Sequence, residues 1–142
     1  MALPDRLQTI VDVFATSPKE FRLEALLDYS RRLPDLPERF TDDPGLLEEV
    51  PECQTPFFLA TEVDDDGAVH MFFSAPPESP TVRGYAGLLL DGLEGATVEE
   101  VLAVPNDFYV GMGLEEVVTP LRLRGMGAIL GRLKRQLTPA AA

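Results

Sequence analysis

Phe57-Phe58-Leu59-Ala60-Thr61-Glu62-Val63, Asp64-Asp65-Asp66-Gly67 and Ala68-Val69-His70-Met71-Phe72-Phe73 follow one another without a break: two aromatic and β-branched runs joined by an acidic turn that ends in glycine. That order predicts a β-hairpin, since both runs fit a pleated surface and the glycine accepts the turn's positive φ. Two strands alone make a marginal sheet, so a third is expected, from the Tyr109-Val110 region or from part of residues 34–56.

Helical periodicity surrounds the hairpin. Leu7, Ile10, Val11 and Phe14 predict a helix over residues 5–15. Ser17-Pro18-Lys19-Glu20 reads as a capping box with proline at the first helical position. It opens a second helix with Phe21, Leu23, Leu26 and Leu27 as its buried stripe, ending near Arg32; Phe21 and Tyr29 read as core residues. Residues 34–56, with five prolines and many acids, read as a long surface connection.

Beyond the hairpin, Val82, Tyr85, Leu88, Leu89 and Leu93 predict a third helix over residues 80–93, with Gly92 and Gly95 at its end. Thr97 caps a short helix over residues 98–104. Thr119-Pro120 opens a last one carrying Leu123, Met126, Leu130, Leu133 and Leu137 on one face. The fold class is α+β, a small antiparallel sheet with helices packed mainly on one face. The 142 residues suit one domain spanning 1–142, with an ordered core of about 5–137.

The formal charge is −12, from 24 acids against 12 bases, which disfavours nucleic acid and anionic membrane as partners. Residues 35–66 hold eleven acids and one base, whereas residues 121–142 hold five bases and no acid. The acidic stretch is either a solubilising face or a surface for a basic partner. No long apolar run appears, and Met1-Ala2-Leu3-Pro4-Asp5 lacks the pattern of a signal peptide, so a soluble, cytoplasmic protein is expected.

One cysteine, Cys53, and one histidine, His70, cannot build a zinc or iron-sulfur site, and no glycine-rich phosphate loop is present. No metal or cofactor is therefore expected. Cys53 stands in Val50-Pro51-Glu52-Cys53-Gln54-Thr55-Pro56, a polar, proline-flanked setting that favours exposure. A free cysteine is as readily a small buried hydrophobe as a reactive thiol. Disulfide exchange would need a second thiol and hydrolysis a base, for which His70 is the one imidazole. Accepting sulfur from a persulfide needs a single positioned thiolate.

Three blocks of the chain resemble the SufE family of sulfur acceptors. Arg31-Arg32-Leu33-Pro34-Asp35-Leu36 is similar to the family's basic residue and Leu-Pro-acid-Leu ahead of its active-site loop. Val50-Pro51-Glu52-Cys53-Gln54-Thr55-Pro56-Phe57-Phe58 resembles Val-x-Gly-Cys-Gln-Ser-x-Val-Trp around the acceptor cysteine. Gly113-Leu114, then Thr119-Pro120-Leu121-Arg122-Leu123-Arg124-Gly125, resembles the entry to the last helix, and Val82-Arg83-Gly84 fits Val-Lys/Arg-Gly. The blocks run in the family's order over residues 19–135.

The resemblance implies that Cys53 receives persulfide sulfur from a group II cysteine desulfurase, stimulates that enzyme and passes sulfur to an iron-sulfur scaffold. The chain would then be a carrier and activator rather than an enzyme, with pyridoxal phosphate only on the desulfurase. Arg122 is carried over as the base near the cysteine loop or the partner surface, able to stabilise the thiolate or persulfide of Cys53. Gln54, an exposed loop residue by default, could hydrogen-bond the loop or the donor. A homodimer is compatible with the sequence.

Glu52 replaces the family's glycine; a carboxylate there disfavours both positive φ and thiolate formation. This substitution motivates an alternative, a noncatalytic adaptor that binds the desulfurase without taking sulfur. A Cys53-His70 hydrolase is the third reading. Phe57-Phe58-Leu59 predicts an apolar shelter for a bound persulfide.

Overall fold

The computed structural model describes residues 3–141. Met1 and Ala2, where the reading against a signal peptide begins, lie outside the described residues, as does Ala142. Helix α1 (Asp5–Thr16) buries Leu7, Ile10, Val11 and Phe14 as its periodicity requires, with Asp5 favourably placed in its first turn. Helix α2 (Lys19–Arg32) is capped by Pro18, not by Ser17. No capping box forms, because the Ser17 hydroxyl donates back to the Val13 carbonyl at the end of α1.

The stripe expected on α2 is also corrected. Phe21 is 61% exposed and Leu23 lies at the surface, whereas Leu26, Tyr29, Ser30 and Leu33 are buried. The inward row runs through Arg22, four residues before Leu26. Its guanidinium is largely covered and donates to the carbonyls of Phe14 at 2.9 Å, Ala15 at 3.3 Å and Gly113 at 3.4 Å. A charged side chain thus occupies a core-facing position because it satisfies helix-end carbonyls that would otherwise lack donors.

Residues 34–56 are more than a surface connection. Helix α3 (Glu38–Asp42) buries Phe40 against Phe72, with ring centroids 4.8 Å apart. Strand β1 (Glu48–Glu49) pairs antiparallel with β2 (Phe58–Val63), which pairs with β3 (Val69–Ser74), giving the sheet order β1-β2-β3. The third strand therefore comes from this segment, while Tyr109 and Val110 lie in a 3₁₀ turn, Phe108–Met112. Val69, Met71 and Phe73 point to one face of β3 and join the main core; Phe72, on the other face, meets α3.

Helix α4 (Pro80–Leu93) buries Val82, Tyr85, Leu88, Leu89 and Leu93. It crosses α2 with almost no space between backbones. A Cβ on Gly84 would stand 2.1 Å from the Leu26 carbonyl oxygen, and one on Gly87 would stand 2.5 Å from that of Tyr29. Only hydrogen fits at either place. The Tyr29 hydroxyl, beside this crossing, donates to Asp91 at 2.7 Å.

Helix α5 (Val98–Ala103) has the Thr97–Glu100 capping box. Helix α6 (Pro120–Ala141) follows, with the Arg122 amide donating to the Thr119 hydroxyl at 3.4 Å. Met126, Ile129, Leu130, Leu133 and Leu137 are buried, each contributing roughly 2 kcal/mol of apolar burial. Thr61 of β2 donates to Gln136, tying sheet to helix at 2.9 Å. The architecture is α+β with a three-stranded antiparallel sheet, as expected. Among the described residues no helix is long and apolar enough to cross a membrane.

Candidate functional site

Cys53 ends a 3₁₀ turn, Pro51–Cys53, at the tip of the loop joining β1 to β2. The loop is closed at its base by the Val50 amide donating to the Phe57 carbonyl at 2.8 Å. Within it the Cys53 amide donates to Val50 at 3.1 Å, and the Gln54 amide to Pro51 at 3.0 Å. Gln54 completes the turn in the left-handed region, at φ 56° and ψ 30°. The positive φ thus falls on Gln54, and Glu52 is spared it.

Polar, proline-flanked surroundings favoured an exposed cysteine, yet Cys53 is 4% exposed. The cause is α6. Gly125 presents bare backbone to the turn, so that its Cβ would lie 3.1 Å from Cys53 Cα and 3.4 Å from the sulfur. The thiol lies 3.8 Å from the Gly125 carbonyl oxygen, a weak S–H···O contact. Val50 and Phe57, both fully buried, belong to the same core cluster. Cys53 is itself a member of that core, so the free thiol is sheltered from solvent.

Burial pushes the Cys53 thiol up to about 12, and the neighbouring Glu52 charge adds to that; Arg122 and Arg132 pull the other way. In this closed turn the sulfur is a protonated thiol at neutral pH, and hence a poor nucleophile. Arg122 stands near enough to act on Cys53 by its field, and it makes no ion pair among the described residues. The Gln54 side chain is exposed and forms no hydrogen bond among the described residues. Its contribution to the turn is its backbone conformation.

Arg132 was not singled out by sequence. Its Nη2 donates to both carboxylate oxygens of Glu52, at 3.0 and 3.1 Å, and its Nη1 donates to Glu48 of β1 at 2.6 Å. Glu48 also accepts from Arg135 and, at 2.8 Å, from Gln136. The signal was available in spacing, since Arg132 lies seven residues after Gly125 and so on the same helix face. Thr55 and Ser79 share a hydroxyl–hydroxyl bond of 2.9 Å, which ties the loop to the residue preceding α4.

His70 pairs with Glu62 on β2, four positions along the strand from Phe58, which places it about 13 Å further from the cysteine loop. Its ring nitrogens are engaged by Glu94 at 2.5 Å and Asp64 at 2.8 Å. It is not brought to Cys53, and the hydrolase reading has no base.

The SufE family, described as Fe-S metabolism associated domain, matches residues 8–137. A SufE-like protein of Mycobacterium tuberculosis is 43% identical over 139 residues, covering 98% of this chain and 96% of that protein. The sulfur acceptor protein CsdE of Escherichia coli is 27% identical over 124 residues, covering 86% of this chain and 81% of its own. The solution structure of a hypothetical protein from Thermus thermophilus superposes with a TM-score of 0.86 at 47% identity, covering 99% of this chain and 98% of that one.

Proposed function

The chain belongs to the SufE family, and from that premise we propose that it is a sulfur acceptor which takes persulfide sulfur from a cysteine desulfurase onto Cys53. The observation that carries this reading is the position of the cysteine. It sits at a hairpin tip, packed against a glycine of α6 and within the field of Arg122. A purely structural cysteine would not need a left-handed residue and a bare helix backbone on either side of it.

In the transfer step the Cys53 thiolate attacks the outer sulfur of the donor's persulfide. A new S–S bond forms at Cys53, the donor's S–S bond breaks, and the donor cysteine leaves as thiolate. The proton lost by Cys53 balances the one the donor thiolate takes up. Opening the turn supplies the thiolate, because burial is the largest cause of its raised pKa; Arg122 then favours the anion, both as thiolate and as persulfide. Closure afterwards would return the persulfide to the buried position against Gly125, away from reductants and oxidants.

The chain is thereby a carrier and activator, with group II desulfurases as donors and an iron-sulfur scaffold as recipient; pyridoxal phosphate belongs to the donor. Glu52 had favoured an adaptor that takes no sulfur. The positive φ falls on Gln54, which removes one ground for that alternative, while the Glu52 charge still opposes the thiolate.

Intact-protein mass spectrometry without reductant, after incubation with a group II desulfurase and free cysteine, tests the reading. Wild type should gain one or more sulfur atoms and Cys53→Ala none. Stable binding with no mass gain on wild type would establish the adaptor instead.

A further inference from the structure

We propose that the Glu52–Arg132 ion pair is a latch that holds the Cys53 turn closed against α6, so that its release sets the thiol's accessibility. The inference rests on the acceptor reading for its purpose, but the opening of the turn is measurable by itself.

The turn's own holds are weak. Its two 3₁₀ bonds span only residues 50–54, Gln54 sits in a conformation that side chains rarely adopt, and the sulfur's contact with Gly125 is 3.8 Å long. Pro51, Gln54 and Pro56 are exposed, so Cys53 is the one buried residue between Val50 and Phe57. Two side-chain ties remain among the described residues: Thr55 to Ser79, and Glu52 to Arg132.

The second tie is charged and preorganised. Arg132 is fixed from the sheet side by Glu48, itself held by Gln136, which leaves Nε and Nη2 directed at Glu52. Glu52 is also 42% exposed on its side chain, so water, salt or a partner's charge can reach it. A docking protein that offers a cation to Glu52 or a carboxylate to Arg132 exchanges this pair for an intermolecular one and frees the turn.

Two effects of these residues on the thiol have separable signs. Glu52 opposes thiolate formation and Arg132 favours it. If they acted through the electric field alone, Glu52→Gln would speed thiol alkylation and Arg132→Gln would slow it. A latch demands that both speed it.

The experiment is alkylation of the full-length protein by the uncharged reagent iodoacetamide, followed by intact mass, with melting temperatures recorded for each variant. Both Glu52→Gln and Arg132→Gln should be alkylated about five-fold faster than wild type, the size expected for loss of a partly exposed ion pair. Arg132→Lys should fall between. Wild-type alkylation should also accelerate as salt is raised, with the response blunted in Glu52→Gln.

A wild-type rate in Glu52→Gln, or a slowed rate in Arg132→Gln, overturns the latch. Where a variant fails to fold, the salt series on wild type decides, and a rate that does not rise with salt overturns the latch equally. Failure of wild type to gain sulfur from a desulfurase would sink the acceptor reading while leaving these rates unaltered.

Discussion

Gly125 and Cys53 are packed backbone to backbone: a methyl group on the glycine would meet the Cα of the cysteine at 3.1 Å and its sulfur at 3.4 Å. A helix-interior glycine costs about 1 kcal/mol against alanine, so this contact is maintained against helix propensity. Gly125→Ala should recover much of that helix stability and displace the surface turn by a few tenths of an ångström. The expected outcome is a melting temperature close to wild type with faster alkylation of Cys53. Unchanged alkylation would mean that α6, rather than the turn, gives way.

Gly84 meets a harder neighbour. Its substituent would collide with the Leu26 backbone carbonyl at 2.1 Å, which no rotamer change relieves. Gly84→Ala should destabilise the fold by about 3 kcal/mol as α2 and α4 are forced apart. Urea denaturation checks this; a loss below about 1 kcal/mol would show that the two helices slide freely.

Arg122 opposes burial and Glu52 in setting the Cys53 thiol. Arg122→Ala should therefore shift the pH dependence of alkylation to higher pH and slow sulfur uptake several-fold at neutral pH, with Arg122→Lys largely restoring both. An unaltered pH profile in Arg122→Ala would reduce this residue to an ordinary surface base.

His70 is raised above its ordinary 6.5 by hydrogen bonds to Asp64 and then Glu94. The imidazolium gains these partners only when folded. Its stabilisation is thus complete below the unfolded value and fades as pH rises through the higher folded value. Melting temperatures of wild type and His70→Gln, compared from about pH 6 to 9, should converge as pH rises. A constant difference across that range would contradict the assignment.

The hairpin, α1, α4 and α5 were legible because each carries an uninterrupted pattern with its own stop signal; Asp64-Asp65-Asp66-Gly67 and Thr97–Glu100 are local in sequence and need no distant partner. The face of α2 was not, because Arg22 looks like a surface residue until the carbonyls of Phe14, Ala15 and Gly113 surround it. Strand β1 was equally hidden: two glutamates have poor strand propensity, and Glu48 is accepted there because Arg132, Arg135 and Gln136 of α6 meet its carboxylate. At the site, the lone cysteine in its proline-flanked loop singled out Cys53 and its neighbour Gln54, and motif resemblance added Arg122, while Arg132 became visible only when helix and loop were brought together.

The Val50–Phe57 hydrogen bond bears on how far sulfur can travel. With the base of the loop clamped, Cys53 is three residues from its anchor, and a fully straightened arm of that length reaches about 10 Å. On the proposed acceptor reading, a persulfide on so short a tether would not search for a distant recipient. Donor and recipient would each have to come to the same end of the hairpin in turn, sharing one footprint and excluding one another from it.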